Sequence, residues 1–223
     1  KENLLPLRIE LEDNYIFMTN IKKLEQKYMI LTKKNIVNID NSFSQHIIQM
    51  GLLYKSPINY REILIVDESK YSCLRPDHME SVKLFYEKNI PLDKDKQFNI
   101  IDGTANVGVD SMFLTTLYNS PNVSIISIEI NKDTYYFLEK NVMNISKIVT
   151  SKQPFTGKII AKNMDIVKYI SELSSTEDIS ILYLDPPWGG HQYIDNPAIE
   201  LSLGKMSFSE LVALAIYKKI KNI

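Results

Sequence analysis

The chain is poor in the residues that staple or anchor proteins. Cys73 is the single cysteine among 223 residues, which excludes an internal disulfide framework and suits a reducing intracellular compartment, nucleus or cytoplasm. The histidines are only His46, His78 and His191, with no metal-ligand spacing, so no metal site is expected. No apolar run reaches the roughly eighteen residues of a membrane-spanning helix, and Lys1-Glu2-Asn3 does not open a signal peptide, so no membrane association is expected. The lack of an initiator Met points to a fragment of a longer chain. A formal net charge of −1 excludes a long, sequence-independent grip on nucleic-acid phosphates, which needs clustered Lys and Arg. Repeats and low-complexity tracts are absent. The remaining composition, 44% hydrophobic and 24% charged, suffices for one α/β core with a small accessory region.

Against that plain background one tetrapeptide stands out. Asp185-Pro186-Pro187-Trp188 directly follows Ile179-Ser-Ile-Leu-Tyr-Leu184, a run with the length and β-branched, aromatic character of a buried strand. The motif therefore belongs at the carboxyl end of a strand, where open α/β sheets bind their ligands. Each proline fixes φ, removes a donor and keeps the preceding residue out of the helical region, leaving carbonyls free to point into a cleft. The Asp185 carboxylate and Pro186 carbonyl can then accept both hydrogens of a planar NH2 group. Trp188 offers a face for a nucleobase, a stack worth about 1–3 kcal/mol. An ordinary turn with a core tryptophan is the plain alternative; Gly189-Gly190, leaving room for a ligand, argue against it.

The residues upstream read as a nucleotide-binding unit. Phe98-Asn-Ile-Ile101 is a short strand, Asp102 to Gly108 a tight glycine loop, and Val109 to about Tyr118 a helix packing through Met112, Leu114 and Leu117. A phosphate loop would end in Gly-Lys-Ser/Thr; here Val109-Asp110 follow Gly108, and a carboxylate repels a triphosphate. A cationic sulfonium ligand suits Asp102 better. Val123 to Ile128 is the next strand, ending in Glu129 where a ribose diol is normally held, with a helix from Asp133 to Asn144 behind it. Lys158-Ile-Ile-Ala161 leads to Asn163-Met164-Asp165, placed to meet an adenine edge and ring. Four successive strand ends thus carry Asp102, Glu129, Asp165 and Asp185.

Ile101-Asp-Gly-Thr-Ala-Asn-Val-Gly108, Ser127-Ile-Glu-Ile-Asn131 and Asp185-Pro-Pro-Trp-Gly-Gly190 together resemble class I S-adenosylmethionine-dependent methyltransferases that modify exocyclic amines. More narrowly they are similar to the RNA cap guanine-N2 methyltransferases, the trimethylguanosine synthase family, including relatives encoded by large DNA viruses, over roughly Tyr71 to Tyr217. The resemblance implies S-adenosylmethionine as cofactor and the 2-amino group of the 7-methylguanosine cap of an RNA as substrate; a viral member would act in the host cytoplasm. It places Asp102 and Gly103 at the methionine moiety, with Thr104 and Gly108 in the same loop, Glu129 at the ribose, and Met164 and Asp165 at the adenine. Ser72, in a segment that closes over the cofactor, and Asp185 complete the cofactor set. Asp185, Pro186 and Trp188 become the catalytic group, and Pro187, Trp188, Gly189 and His191 the substrate contacts. Departures from the family pattern are Asn106 and Val109 at frequent glycine positions and Asp185 in place of a serine. They keep two alternatives open: an adenine-N6 methyltransferase on DNA or RNA, and a catalytically degenerate binding subunit.

The expected architecture is a Rossmann-like class I methyltransferase sheet with helices on both faces and a mainly helical N-terminal extension. Residues 1–69 are assigned to an accessory or lid region and 70–223 to the core. Between Ile21 and Tyr60 lysines outnumber the acids Glu25 and Asp40, giving either a basic lid over RNA or a solvated amphipathic face, with one helix at Ser42 to Gln49. A helix from Ser207 to about Lys221, opened by a Ser207/Glu210 capping box, ends the chain where about three further strands would be expected. Either strands such as Glu62-Ile-Leu-Ile-Val66 cover the sheet edge, or that edge invites a partner chain.

Overall fold

The computed structural model describes residues 53, 55–65, 69, 74–151, 153–174, 178–186 and 201–223. The expected helix at 42–49 and most of the basic stretch lie outside them. Helix α1 (Pro76–Asn89) precedes β1 (Phe98–Asp102), α2 (Val109–Leu117), β2 (Val123–Glu129), α3 (Lys132–Met143), the single turn α4 (Ile145–Ile148) and β3 (Lys158–Asn163). After these come α5 (Ile166–Glu172), β4 (Ile181–Tyr183), the hairpin strands β5 (Ser202–Leu203) and β6 (Met206–Ser207), and α6 (Phe208–Tyr217).

The four long-range strands form one parallel sheet in the order β3-β2-β1-β4. Isoleucine-rich strands suit this sheet because both of its faces are covered. Successive residues point to opposite sides. Ile100, Ile125 and Ile181 pack with Leu114 and Tyr118 of the α2 region, while Ile101, Ile128 and Leu182 pack with Ile166, Ile170, Leu211 and Ala215 of α5 and α6. Each fully buried aliphatic contributes roughly 1.5–3 kcal/mol. The result is the expected Rossmann-like α/β fold with helices on both faces. The chain winds outward through β2 and β3, then returns to place β4 beside β1 on the other side. That reversal point between β1 and β4 is where such sheets open a crevice at their carboxyl ends.

Glycine and asparagine set the sharp corners. Gly108 caps α2 with φ 91°, and a Cβ there would come within 2.6 Å of the Leu138 side chain. The Asn131 side chain accepts from Asp133 N–H (2.9 Å) and Thr134 N–H (3.1 Å), starting α3. Ser207 and Glu210 make the expected capping box of α6.

The covering of the β4 edge differs from expectation. Residues 62–65 form no strand; Val66 lies outside the described residues. Ile63 is buried with Met112, Phe113 and Phe137 on the α2/α3 side, and the carboxamide of Asn141 pairs with the Leu64 backbone, accepting its N–H (2.9 Å) and donating to its carbonyl (2.8 Å). One asparagine side chain therefore supplies the hydrogen bonds that a neighbouring strand would have made. The β4 edge is met instead by residues following α6. Helix α6 stops at Tyr217, Lys219 takes a positive φ of 61°, Lys221 N–H donates to Ile179 O (3.1 Å), and Leu182 N–H donates to Asn222 O (2.9 Å). No described helix is long and apolar enough to cross a membrane.

Candidate functional site

At the carboxyl tips of β1, β2 and β3 and beside Asp185 lies a cavity of about 370 Å³. Its floor is the glycine loop. Gly103 sits where a Cβ would be 2.7 Å from both Ile166 and Leu184, so only glycine lets the loop run this close to the β4 and α5 layer. Asn106 turns the loop with φ 49°, a conformation asparagine tolerates, and its Oδ1 accepts from the Ser69 hydroxyl (2.6 Å).

Three carboxylates of the expected series face this cavity: Glu129, Asp165 and Asp185. Burial holds the Glu129 carboxyl above its usual range, opposed by backbone N–H groups that include Asn131 at 2.7 Å. Asp165 caps α5 by accepting Val167 N–H (2.8 Å). The described lining contains no Lys, Arg or His, so the cavity is electrostatically suited to a cation and unsuited to a polyphosphate. Met164, Gly103 and Thr104 also line it, as do the apolar residues Ile128, Ile130 and Ile166.

Asp102 is placed differently. It is fully buried behind the loop, its Oδ2 accepting the Ser111 hydroxyl (2.5 Å), which in turn accepts from Ser127 (2.6 Å). Its Oδ1 makes no hydrogen bond of regular geometry among the described residues. Burial, then the neighbouring Asp110 and Asp185 charges, push its carboxyl up to about 8, while the Ser111 hydroxyl and Thr104 N–H oppose the rise. Asp110, which made a triphosphate implausible in the sequence, also turns inward. Its oxygens accept Leu74 N–H (2.9 Å) and the Tyr183 hydroxyl (3.0 Å), and burial pushes it up to about 6. Gly108 serves the α2 corner and is not part of the cavity lining.

Pro186 is buried and Asp185 half-buried at the open end of β4. The remaining sequence candidates, Ser72, Pro187, Trp188, Gly189 and His191, lie outside the described residues, as do Tyr71 and Gly190. Asn163, expected near the adenine, spends its amide on Glu129 O (2.8 Å) and Ile130 O (3.0 Å), tying the β2 and β3 tips together. Sequence reasoning missed Ile130, a 65% exposed isoleucine beside Glu129, and the hairpin residues Ser202, Leu203 and Gly204, which line one side of the cavity. The hairpin left a signal: Gly204, with φ 62°, opens the two-residue loop Gly204-Lys205 between short strands, the pattern of a glycine-first hairpin turn.

A parallel sheet with this strand order and an acid-lined crevice at its carboxyl edge define a Rossmann-like α/β domain. The chain belongs to the RNA cap guanine-N2 methyltransferase family, whose sequence model matches residues 100–223. Among solved structures it is similar to a provisionally assigned rRNA-methylase from Clostridium thermocellum (11% identity, 63% of this chain and 62% of that chain covered, TM-score 0.38). It is also similar to an O-methyltransferase from Bacillus cereus in complex with SAH (11% identity, 66% and 55% covered, TM-score 0.36). The matches thus span less than two thirds of either protein's own length, and likenesses of this size add nothing to the topology already described. No curated protein matches the chain.

Proposed function

We propose that this chain is an S-adenosylmethionine-dependent methyltransferase acting on the exocyclic 2-amino group of a 7-methylguanosine RNA cap. The observation that carries the reading is the cavity lined by three carboxylates at the strand tips and, among the described residues, by no cation, with Asp185 at the start of the Asp-Pro-Pro-Trp motif in its lining. The residues suit the cofactor: Glu129 for a ribose diol, Met164 and Ile130 for the faces of a base, Asp165 and Asn131 for polar edges. The carboxylate-rich surroundings suit a sulfonium and an ammonium group. When bound, S-adenosylmethionine supplies an electrophilic methyl group.

The protein's own part is alignment. Asp185 and the Pro186 carbonyl hold the two amine hydrogens and so orient the nitrogen lone pair. Fixing reactants in this way provides on the order of 7–11 kcal/mol in well-oriented systems. Asp185 also stabilises the positive charge that develops on the nitrogen, without needing to remove its proton first. Trp188 stacks on the cationic purine, an arrangement an indole favours strongly. Residues 70–223 form the catalytic unit in this proposal, and residues 1–69, which include the packed segment 55–65, an accessory or lid region.

The experiment is methyl transfer from labelled S-adenosylmethionine to 7-methylguanosine-capped RNA, with unmethylated-cap RNA and an adenine-containing oligonucleotide in parallel, followed by nucleoside analysis. Label in dimethyl- or trimethylguanosine supports the proposal. Label in N6-methyladenosine replaces it with the second reading, which Asp185 at a serine position of the cap family favours. No transfer despite cofactor binding indicates a missing partner or a purely binding role.

A further inference from the structure

We infer that Thr104 is a positioning residue that pins the Asp185-Pro186 step to the cofactor loop, an inference that rests on the methyltransferase reading above. The β1–β4 ladder pairs Ile100 with Ile181, Ile101 with Leu182 and Asp102 with Tyr183. Beyond Asp102 the first strand turns away into the glycine loop, yet two more bonds continue the pairing. Gly103 N–H donates to Tyr183 O (2.9 Å), and Asp185 N–H donates to the Thr104 hydroxyl oxygen (2.8 Å). In an uninterrupted parallel ladder a backbone carbonyl would accept that second N–H. The threonine hydroxyl stands in for it.

The chemistry of the motif makes this substitution matter. Pro186 and Pro187 carry no N–H, so Asp185 N–H is the only main-chain donor between Leu184 and Trp188. Whatever fixes the backbone at the start of the motif through a main-chain donor must use this group, and the structure uses it on Thr104. Asp185 is half-buried and Pro186 buried, so this N–H sits where an unmade hydrogen bond is poorly replaced by water. Thr104 lines the cavity together with Gly103 and Asp185. One side chain therefore links the floor on which the methyl donor would lie to the carbonyl edge that would hold the acceptor amine. A threonine in the middle of a glycine loop, otherwise unexplained, is accounted for by this link.

The test compares Thr104→Val, which keeps the shape and removes the acceptor, with Thr104→Ser, which keeps the acceptor. Three readouts are taken on the full chain: amide hydrogen exchange at Asp185 by NMR, affinity for S-adenosylhomocysteine by calorimetry, and turnover on capped RNA. Because a displacement of about 1 Å costs roughly a hundredfold in an aligned reaction, Thr104→Val is expected to lower turnover about ten- to a hundredfold. It should also speed Asp185 exchange while moving S-adenosylhomocysteine affinity far less than turnover, and Thr104→Ser should restore wild-type turnover and exchange. Affinity falling in step with turnover would make Thr104 a cofactor contact and overturn the positioning role, as would unchanged Asp185 exchange in Thr104→Val. A wild-type chain that binds S-adenosylhomocysteine but methylates no capped RNA overturns the cap reading alone, because exchange at Asp185 still decides the Thr104 link.

Discussion

Two sets of acids lie toward the carboxyl end of the sheet and are placed differently. Asp102 and Asp110 lie behind the glycine loop, buried, engaged by Ser111, Leu74 and Tyr183, and pushed toward the protonated form. Glu129, Asp165 and Asp185 stand around the cavity in front of it. The difference teaches that a carboxylate at a strand tip has no single role. One facing into the protein has its charge disfavoured by the fold, and one facing the crevice is, in the proposed function, a group available to a ligand.

That comparison breaks if the front acids prove structural or the back ones functional. The largest expected effect is on the front side: Asp185→Ala should lower turnover by about a hundredfold or more while S-adenosylhomocysteine affinity is retained, checked by kinetics beside calorimetry. A parallel loss of thermal stability would move Asp185 to the structural set. On the back side, Gly108→Ala forces a side chain into φ 91° against Leu138 and should cost about 2 kcal/mol in urea unfolding. An unaffected midpoint would show that the loop corner is not rigid.

Asp102→Asn sharpens the contrast through pH. Its folded value, about 8, lies above the ordinary 3.8, so the stability its carboxyl contributes is full below about pH 4 and is lost as pH rises toward 8. The variant, unable to ionise, should gain about 2–3 kcal/mol relative to wild type between pH 5 and pH 7, read from unfolding curves at the two pH values. A constant difference would mean that Asp102 is already ionised in the fold. The smallest effect belongs to Glu129→Ala, expected to weaken S-adenosylhomocysteine binding about tenfold, one lost hydrogen-bonded charge, with stability unchanged.

Much of this arrangement could be read in advance. The strands, the glycine loop, the α6 capping box and the order of acids all follow from local periodicity and turn chemistry, which need no knowledge of the rest of the chain. Residues 62–65 show where such reading stops. Ile-Leu-Ile is as good a strand as any other in the chain, but whether it pairs depends on Asn141, 77 residues away from Leu64, whose carboxamide satisfies the backbone instead. The hairpin at Ser202–Ser207 was too short to announce itself by alternation, and only its packing beside Asp165 gives it a place at the cavity.

By itself, then, the sequence determined which residue types stand at each strand end and that they belong to a Rossmann-like α/β sheet, because period and turn preference are properties of a few neighbouring residues. Tertiary structure decided which of those acids face water and which are sealed inside, and that Thr104 rather than a backbone carbonyl receives the Asp185 N–H. Burial and hydrogen-bond partners are set by what arrives from distant parts of the chain, and desolvation, more than identity, determines what a carboxylate can do.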